Sequence, residues 1–161
     1  MMQIKPAQLF DAELIGSLAN EIWPVCYAGV ISNEQITFML NDLYTTDAIT
    51  RQMQAKHQFF LLELDDVPHG FASVSQETTT AYKVQKLYLL PAIHKKGAGK
   101  FFLQEIENYC KQKGALQILL NVNRNNSARF FYQKMGYLII DTVDINYHKY
   151  VLNDYIMAKN L

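Results

Sequence analysis

The chain has 161 residues, which fits one domain spanning residues 1–161, and half of them are hydrophobic, which is enough for a sizeable core. Fifteen lysines and arginines balance fifteen aspartates and glutamates, and the zero net charge argues against a nucleic-acid-binding protein, which usually carries a basic excess. No apolar run approaches the ~20 residues of a bilayer-spanning helix, and residues 1–6 lack the hydrophobic stretch of a signal peptide, so we expect a cytoplasmic protein without a membrane partner.

The first third of the chain carries helical patterns. We predict a short strand at residues 3–5 and then helices at residues 12–22, 33–44 and 46–55. Asp11 stands at the N-cap position of the first helix, and Trp23 with Pro24 should end or kink it. Ser32 and Gln35 have the spacing of a capping box at the start of the second helix. The buried stripe of the first helix would consist of four aliphatic residues, Leu14, Ile15, Leu18 and Ile22.

Strands and helices alternate in the remainder. We predict strands at residues 58–64 and 71–76 around a turn at residues 65–70, and a third strand at residues 82–90. A helix should end at Gly114, a strand should cover residues 116–122, and a helix should cover residues 127–135 before Gly136. Strands at residues 137–145 and 150–157 finish the chain. This order predicts an α/β (α+β) domain with a mixed, mostly antiparallel sheet of about seven strands and four to five helices on its two faces.

Two cysteines, Cys26 and Cys110, lie far apart in the sequence and show no metal-ligand spacing. Both stand among apolar or aromatic neighbours, which favours buried thiols over a disulfide. We therefore expect a reducing compartment, and no metal site is indicated.

A basic, glycine-containing loop follows the third of these strands. Pro91 stops that strand because proline has no N–H for a ladder. Gly97 and Gly99 let the backbone approach a ligand closely, and the helix that follows directs free N–H groups and the positive end of its dipole at an anion. Lys95 and Lys96, with Lys100 just beyond, add positive charge. We interpret the loop as a pyrophosphate cradle; the alternative is a tight turn with a solvated basic rim.

A second motif lies about 30 residues further on. It can be explained as an amphipathic helix that buries its aromatic residues, but together with the loop it resembles the GNAT superfamily of acetyl-CoA-dependent N-acetyltransferases. The loop matches the family's Arg/Gln-x-x-Gly-x-Gly/Ala as His94-Lys95-Lys96-Gly97-Ala98-Gly99, with His94 as a departure. The helix matches the family's later segment as Asn125-x-x-Ala128-x-x-x-Tyr132-x-x-x-Gly136-Tyr137.

The resemblance implies that acetyl-CoA is the cofactor and that its acetyl group moves directly to a primary amine. The phenol of Tyr132 would protonate the departing thiolate, unless that side chain only packs. Lys134 could reach a CoA phosphate or be merely solvated. Asn125 would contact the pantetheine, although Asn126 is an equal candidate for this contact. The strand backbone would hold the pantetheine arm and the loop the pyrophosphate, through Leu87, Tyr88, Leu89, His94, Lys95, Lys96, Gly97, Ala98, Gly99 and Lys100.

The general base does not follow from the resemblance. Some relatives carry a glutamate on the strand after the loop helix, whereas this chain has Asn121 there. Glu77, Glu34, Glu21 and Asp154 are the carboxylates that we consider, directly or through water, and any of them could equally be a surface group. Aromatic residues could bind a cationic acceptor by cation–π contact, although core packing is the role that we favour for Trp23. They are Trp23, Tyr27 and Tyr44.

The acceptor remains open. The N-terminal part and the segment Asn153-Asp154-Tyr155-x-Met157 show a weaker likeness to PaiA-type spermidine/spermine acetyltransferases. We therefore favour a small-molecule amine such as a polyamine, for which an acidic, closed pocket is expected. The alternatives are a protein N-terminal or lysine acetyltransferase, with an open groove beside the thioester, and a non-catalytic acyl-CoA-binding module. The sequence also leaves open whether the chain forms a homodimer.

Overall fold

Seven strands form one sheet in the order β1-β2-β3-β4-β5-β7-β6, as shown by a computed structural model that describes residues 1–161. The strands are β1 (Met2–Pro6), β2 (Gln58–Leu64), β3 (Val67–Gln76), β4 (Ala81–Leu89), β5 (Gln117–Asn123), β6 (Leu138–Tyr147) and β7 (Tyr150–Asn160). The helices are α1 (Ala12–Cys26), α2 (Asn33–Leu43), α3 (Thr46–Gln54), α4 (Ala98–Gln112) and α5 (Ala128–Lys134). Only β4 and β5 pair in parallel, which confirms the predicted mixed, mostly antiparallel sheet.

Two hydrophobic cores lie on the two faces of the sheet. One is centred on α4 and contains the fully buried Phe102 and Ile106. The other lies under α1, α2 and α3 and contains Ile15, Ile22 and Ile49. None of the helices is both long and apolar enough to cross a membrane. The two cysteines are free, as predicted, with Cys110 buried and Cys26 half-buried.

The first helix differs from its prediction. It continues through Pro24 to Cys26. Pro24 has no N–H to donate to the Asn20 carbonyl, but both residues lie on the exposed side of the helix, so water can hydrate this carbonyl. Leu14 was expected in the buried stripe but is 37% exposed, and alanines complete the stripe instead. The Asp11 carboxylate does not cap α1; it accepts from the Gln8 N–H at 2.8 Å, because a 3₁₀ turn precedes the helix.

Two further local predictions are corrected. Ser32 Oγ accepts from the Gln35 N–H at 3.1 Å, but the Gln35 side chain turns to Met39, so only half of the capping box forms. The predicted turn at residues 65–70 is shorter: Asp65 and Asp66 alone, with φ of 51° and 65°, connect β2 to β3. Two consecutive residues with positive φ make a tight hairpin turn, so β3 begins at Val67.

Strands β4 and β5 separate along their length. Their ladder joins residues 81–84 to residues 117–120 and ends at the pair Val84 and Leu120. At the same level a register shift between Ser73 and Val74 leaves Gln85 without a partner on β3, which is a bulge in β4. A bulge bends its strand, so the carboxyl half of β4 leaves β5 and a gap opens in the middle of the sheet.

Candidate active site

A cavity of about 470 Å³ occupies the gap between β4 and β5. Both strands contribute to its walls, and α1, α2 and α5 close it from the two faces of the sheet. Eight of the residues considered for the site line it: Trp23, Tyr27, Tyr44, Leu87, Tyr88, Asn126, Tyr132 and Asp154. Because antiparallel partners on β3 and β7 hold the outer edges of the two strands, the gap is a fixed feature of the sheet.

The loop before α4 has the features of an anion cradle. None of the backbone N–H groups of residues 95–100 donates a hydrogen bond within the protein. Gly97 has φ of 78° at the N-cap of α4, and no atom lies within 4 Å of where its Cβ would stand. His94 Nε2 donates to the Leu89 carbonyl at 2.9 Å, which ties the loop to the end of β4. The departure from the family motif thus has a structural role.

The side chains around this loop leave its donors accessible. Lys95, Lys96 and Lys100 are exposed, and no carboxylate lies within ion-pair distance of them. Gly99 packs against the ring of Phe131, whose nearest atom would be 3.4 Å from a Cβ at that position. The open backbone donors and free ammonium groups can hold a diphosphate.

Tyr132 projects from α5 into the cavity. The helix begins where Asn126 Oδ1 accepts from the Ala128 N–H at 2.9 Å, and Gly136 follows it with φ of 93°. The Tyr132 side chain is half-buried, and its hydroxyl makes no hydrogen bond within the protein. Burial raises the pKa of this phenol above its usual value, so the group carries its proton at neutral pH and is available as a donor.

Asn126, rather than Asn125, lies on the cavity wall. Asn125 is exposed, and its backbone N–H donates to Asn123 Oδ1 at 2.8 Å. The sequence motif could not separate these two neighbours, because the direction of each side chain depends on the turn between β5 and α5.

An aromatic cluster forms the wall opposite Tyr132. Trp23 lies 4.4 Å from Tyr27, 5.3 Å from Tyr44 and 5.7 Å from Tyr88, measured between ring centroids. The hydroxyls of Tyr27 and Tyr88 are 2.7 Å apart. These rings belong to or pack against the α1–α3 core and also line the cavity.

Among the carboxylates considered from the sequence, Asp154 alone lines the cavity. It lies opposite Asn123 in the β5–β7 ladder and accepts from Asn121 Nδ2 at 3.3 Å. Burial raises the pKa of Asp154 despite this hydrogen bond and the nearby Lys83. Asn121, which stands where some relatives carry a glutamate, therefore contacts Asp154.

Other predicted residues lie outside the cavity. Glu34 pairs with Lys149 at 2.6 Å and accepts from Tyr150 at 3.0 Å, so it is held against the β6–β7 hairpin. Glu77 lies in the exposed turn after β3. Glu21 and Lys134 are exposed on their helices and line no part of the cavity.

Sequence reasoning missed Lys86 and His57. Both line the cavity, and Lys86 is 9% exposed. Burial lowers the pKa of Lys86 to about 8. It also lowers the pKa of His57, assisted by the charge on Lys86. The sequence feature that could have identified Lys86 is the two-residue period of a strand, which places Lys86 on the same face of β4 as Tyr88.

The fold and this site match the class of acetyltransferases that the sequence resembles. The family described as the acetyltransferase (GNAT) domain matches residues 27–147. The chain therefore belongs to the GNAT family and is an N-acetyltransferase that uses acetyl-CoA. No cluster of three or more potential metal-ligating side chains is present.

Particular relatives agree with this assignment. The chain is 31% identical over 147 residues to the spermidine N(1)-acetyltransferase of Thermoplasma acidophilum, covering 88% of this chain and 91% of that protein. It is 27% identical over 160 residues to an uncharacterised N-acetyltransferase of Mycobacterium tuberculosis, covering 94% and 98%. The crystal structure of the PaiA N-acetyltransferase from Thermoplasma acidophilum in complex with coenzyme A superposes with a TM-score of 0.86 at 29% identity, covering 100% and 99%.

Proposed function

We propose that this chain transfers an acetyl group from acetyl-CoA to the primary amine of a small molecule by direct attack within a ternary complex. The observation that carries the proposal is the cavity between β4 and β5, which has Tyr132 on one wall and an aromatic cluster on the other. The pantetheine arm would lie along residues 87–89, with Asn126 beside it. The pyrophosphate would lie on the open backbone N–H groups of residues 95–100.

The reaction needs a proton donor for the leaving group. The thiol of coenzyme A has a pKa of about 8.5, so its thiolate is stabilised by a nearby acid. Tyr132 is protonated at neutral pH and its hydroxyl has no partner within the protein. A free N–H of β4 beyond the ladder with β5 would polarise the thioester carbonyl, as oxyanion-hole donors do.

The acceptor must lose a proton before it attacks. A primary ammonium has a pKa of about 10, so a small fraction is neutral at pH 7. Asp154 is the carboxylate of the cavity and would take this proton directly or through water. The free thiols Cys26 and Cys110 support a reducing, cytoplasmic setting.

A polyamine is the acceptor suggested by the name of the Thermoplasma relative. The cavity gives this hypothesis limited support, because its charged lining consists of Lys83, Lys86 and Asp154. A polycation would meet two lysines and one acid, whereas we expected an acidic pocket. A protein or peptide amine is the second hypothesis, and the same experiment includes it.

The test is a panel of acceptors with acetyl-CoA, read by release of free thiol. The panel contains spermidine, spermine, simple alkylamines, amino acids and peptides, and Tyr132→Phe serves as the reference for impaired chemistry. We expect thiol release with at least one small amine and an acetylated product of matching mass. Binding of acetyl-CoA without thiol release for any amine would contradict the proposal. Turnover confined to peptides would favour the second hypothesis.

A further inference from the structure

Lys86 is a buried cation without a counterion. Its side chain is 9% exposed, it lines the cavity, and no carboxylate lies within ion-pair distance. The ammonium lies 5.5 Å from the ring centroid of Tyr44 and 5.7 Å from that of Phe59. Ring faces attract a cation, but they replace only part of the hydration that a buried ammonium loses.

Four buried polar atoms have no hydrogen-bond partner within the protein. They are Trp23 Nε1, Gln52 Oε1, His57 Nδ1 and Ser73 Oγ. The first three belong to residues that line the same cavity as Lys86, and Ser73 is the partner of Lys86 across the β3–β4 ladder. Buried polar groups in folded proteins are nearly all paired, so a cluster of unpaired ones indicates a missing partner.

The missing partner has a definite chemistry. Trp23 supplies an N–H and Lys86 an ammonium, and both are hydrogen-bond donors on residues that line the cavity. The charged groups in the cavity wall are Lys83, Lys86 and Asp154, so the wall has an excess of positive charge. His57 adds no negative charge. A group that accepts several hydrogen bonds and carries a negative charge fits these donors.

We propose that this inner end of the cavity binds a carboxylate of the acceptor, so that the substrate is a small aminocarboxylate whose amine faces the thioester. The inference rests on the proposed function, because it takes the cavity to be the acceptor site. The Lys86 ammonium pairs with the carboxylate, and Trp23 Nε1 donates a further hydrogen bond to it. Gln52 and His57 accept from the remaining ammonium hydrogens or from a water held with the ligand. A polyamine would place further cations beside Lys83 and Lys86, with Asp154 as the single acid of the wall.

The experiment compares acceptors that differ in one group. Aminocarboxylates of increasing chain length, the alkylamines that lack their carboxylate, and the diamines of equal length are assayed with acetyl-CoA. The enzymes are the full chain, Lys86→Met, Lys86→Arg and the surface control Lys111→Met on the last turn of α4. A hydrogen-bonded ion pair contributes about 10- to 100-fold in affinity.

We therefore expect the full chain and Lys111→Met to favour an aminocarboxylate over its alkylamine by about that factor in kcat/KM. Lys86→Met should raise KM for the aminocarboxylate with little change in kcat and should remove the preference, while Lys86→Arg should retain part of it. A role of Lys86 in packing alone would change all acceptors equally. An unchanged ratio in Lys86→Met, or a preference of the full chain for alkylamines or diamines, would overturn the proposal.

A second measurement separates this inference from the proposed function. Turnover of alkylamines without a carboxylate preference leaves the acetyltransferase assignment standing and refutes the carboxylate subsite. If no amine is acetylated, the proposed function fails, and calorimetric binding of the aminocarboxylates to the full chain and to Lys86→Met still tests the subsite. Weaker binding to Lys86→Met supports it, and equal binding or none to the full chain overturns it.

Discussion

Replacing Tyr132 by phenylalanine removes one hydroxyl and keeps the ring. The ring packs 5.3 Å from Phe131 and 5.8 Å from Tyr137 between centroids, and these contacts remain in the variant. Because the hydroxyl has no partner within the protein, its removal leaves no buried group unpaired. The free energy of unfolding should therefore change by less than about 1 kcal/mol.

The effect on turnover should be far larger. General acid catalysis contributes about 100- to 10,000-fold to a rate, and each tenfold corresponds to about 1.36 kcal/mol of transition-state stabilisation. We expect Tyr132→Phe to lose turnover within that range while its affinity for acetyl-CoA is nearly unchanged. Tyr109→Phe is a matched control. Tyr109 lies on α4, packs against Phe60 of β2 and lines no part of the cavity.

The assay is thiol release at saturating acetyl-CoA, with cofactor affinity measured by calorimetry. A phenol usually has a pKa of about 10, and burial raises the pKa of Tyr132 above that value. The Tyr132 hydroxyl therefore stays protonated throughout the neutral pH range. Activity of the unchanged chain should thus rise with pH as the acceptor amine loses its proton, with no fall from this phenol in the neutral range. Turnover of Tyr132→Phe equal to that of the unchanged chain would refute the acid role, and a large loss of cofactor affinity would show that the residue acts in binding.

Three other substitutions test the cradle, the buried lysine and the core. Gly97 and Gly114 have φ of 78° and 94° with open space around them, so replacement by alanine strains the backbone at either position by about 1–2 kcal/mol. In calorimetry only Gly97→Ala should weaken acetyl-CoA binding. Equal acetyl-CoA affinities of the two variants would contradict the cradle. Lys86→Met should raise stability to urea at pH 7 by up to about 3 kcal/mol, because the folded chain lowers the pKa of Lys86 from 10.5 to about 8. Since the unfolded chain binds more protons between those values, the unchanged chain should gain stability as pH rises from about 8 to about 10.5, and urea melts with no such gain would contradict the burial of the charge. Glu107→Ala removes both the acceptor of the Tyr137 hydroxyl at 2.9 Å and the partner of Lys159 at 3.1 Å, and it should cost about 2 kcal/mol in urea. Glu107→Gln loses the ion pair but keeps an acceptor for Tyr137, so it should lose less; equal losses would show that the hydrogen bond contributes little.

Local patterns predicted the element order well, because helix caps, turn residues and periodicity act within a few residues. Ser32 caps the start of α2 and α4 ends just before Gly114, as the sequence indicated. The prediction for Leu14 was wrong because helical periodicity gives a stripe but not its edges, which depend on what packs against the helix. The turn predicted at residues 65–70 was too long. Pro68 pairs with Glu63 in the β2–β3 ladder, next to the register shift between Leu62 and Glu63, and proline is tolerated beside such a bulge.

Some residues of the candidate site could be identified from the sequence, and others could not. The loop at residues 94–100 and the helix with Tyr132 are each contained in a short stretch of sequence, so both could be found without a structure. The choice among Glu34, Glu77 and Asp154 could not, because a carboxylate reaches the cavity only through its place in the sheet. Glu34 faces the β6–β7 hairpin instead, and Asp154 enters the cavity because β7 pairs with β5.

The sequence by itself determined the kind of fold and the positions of the glycine-containing loop and of Tyr132, since these depend on residue spacing and backbone freedom over short distances. The tertiary structure alone decided where β4 leaves β5 and that Lys86 is buried there without a counterion. Both features arise from pairing between strands far apart in the chain, and a strand's own residues do not specify which partners it will meet.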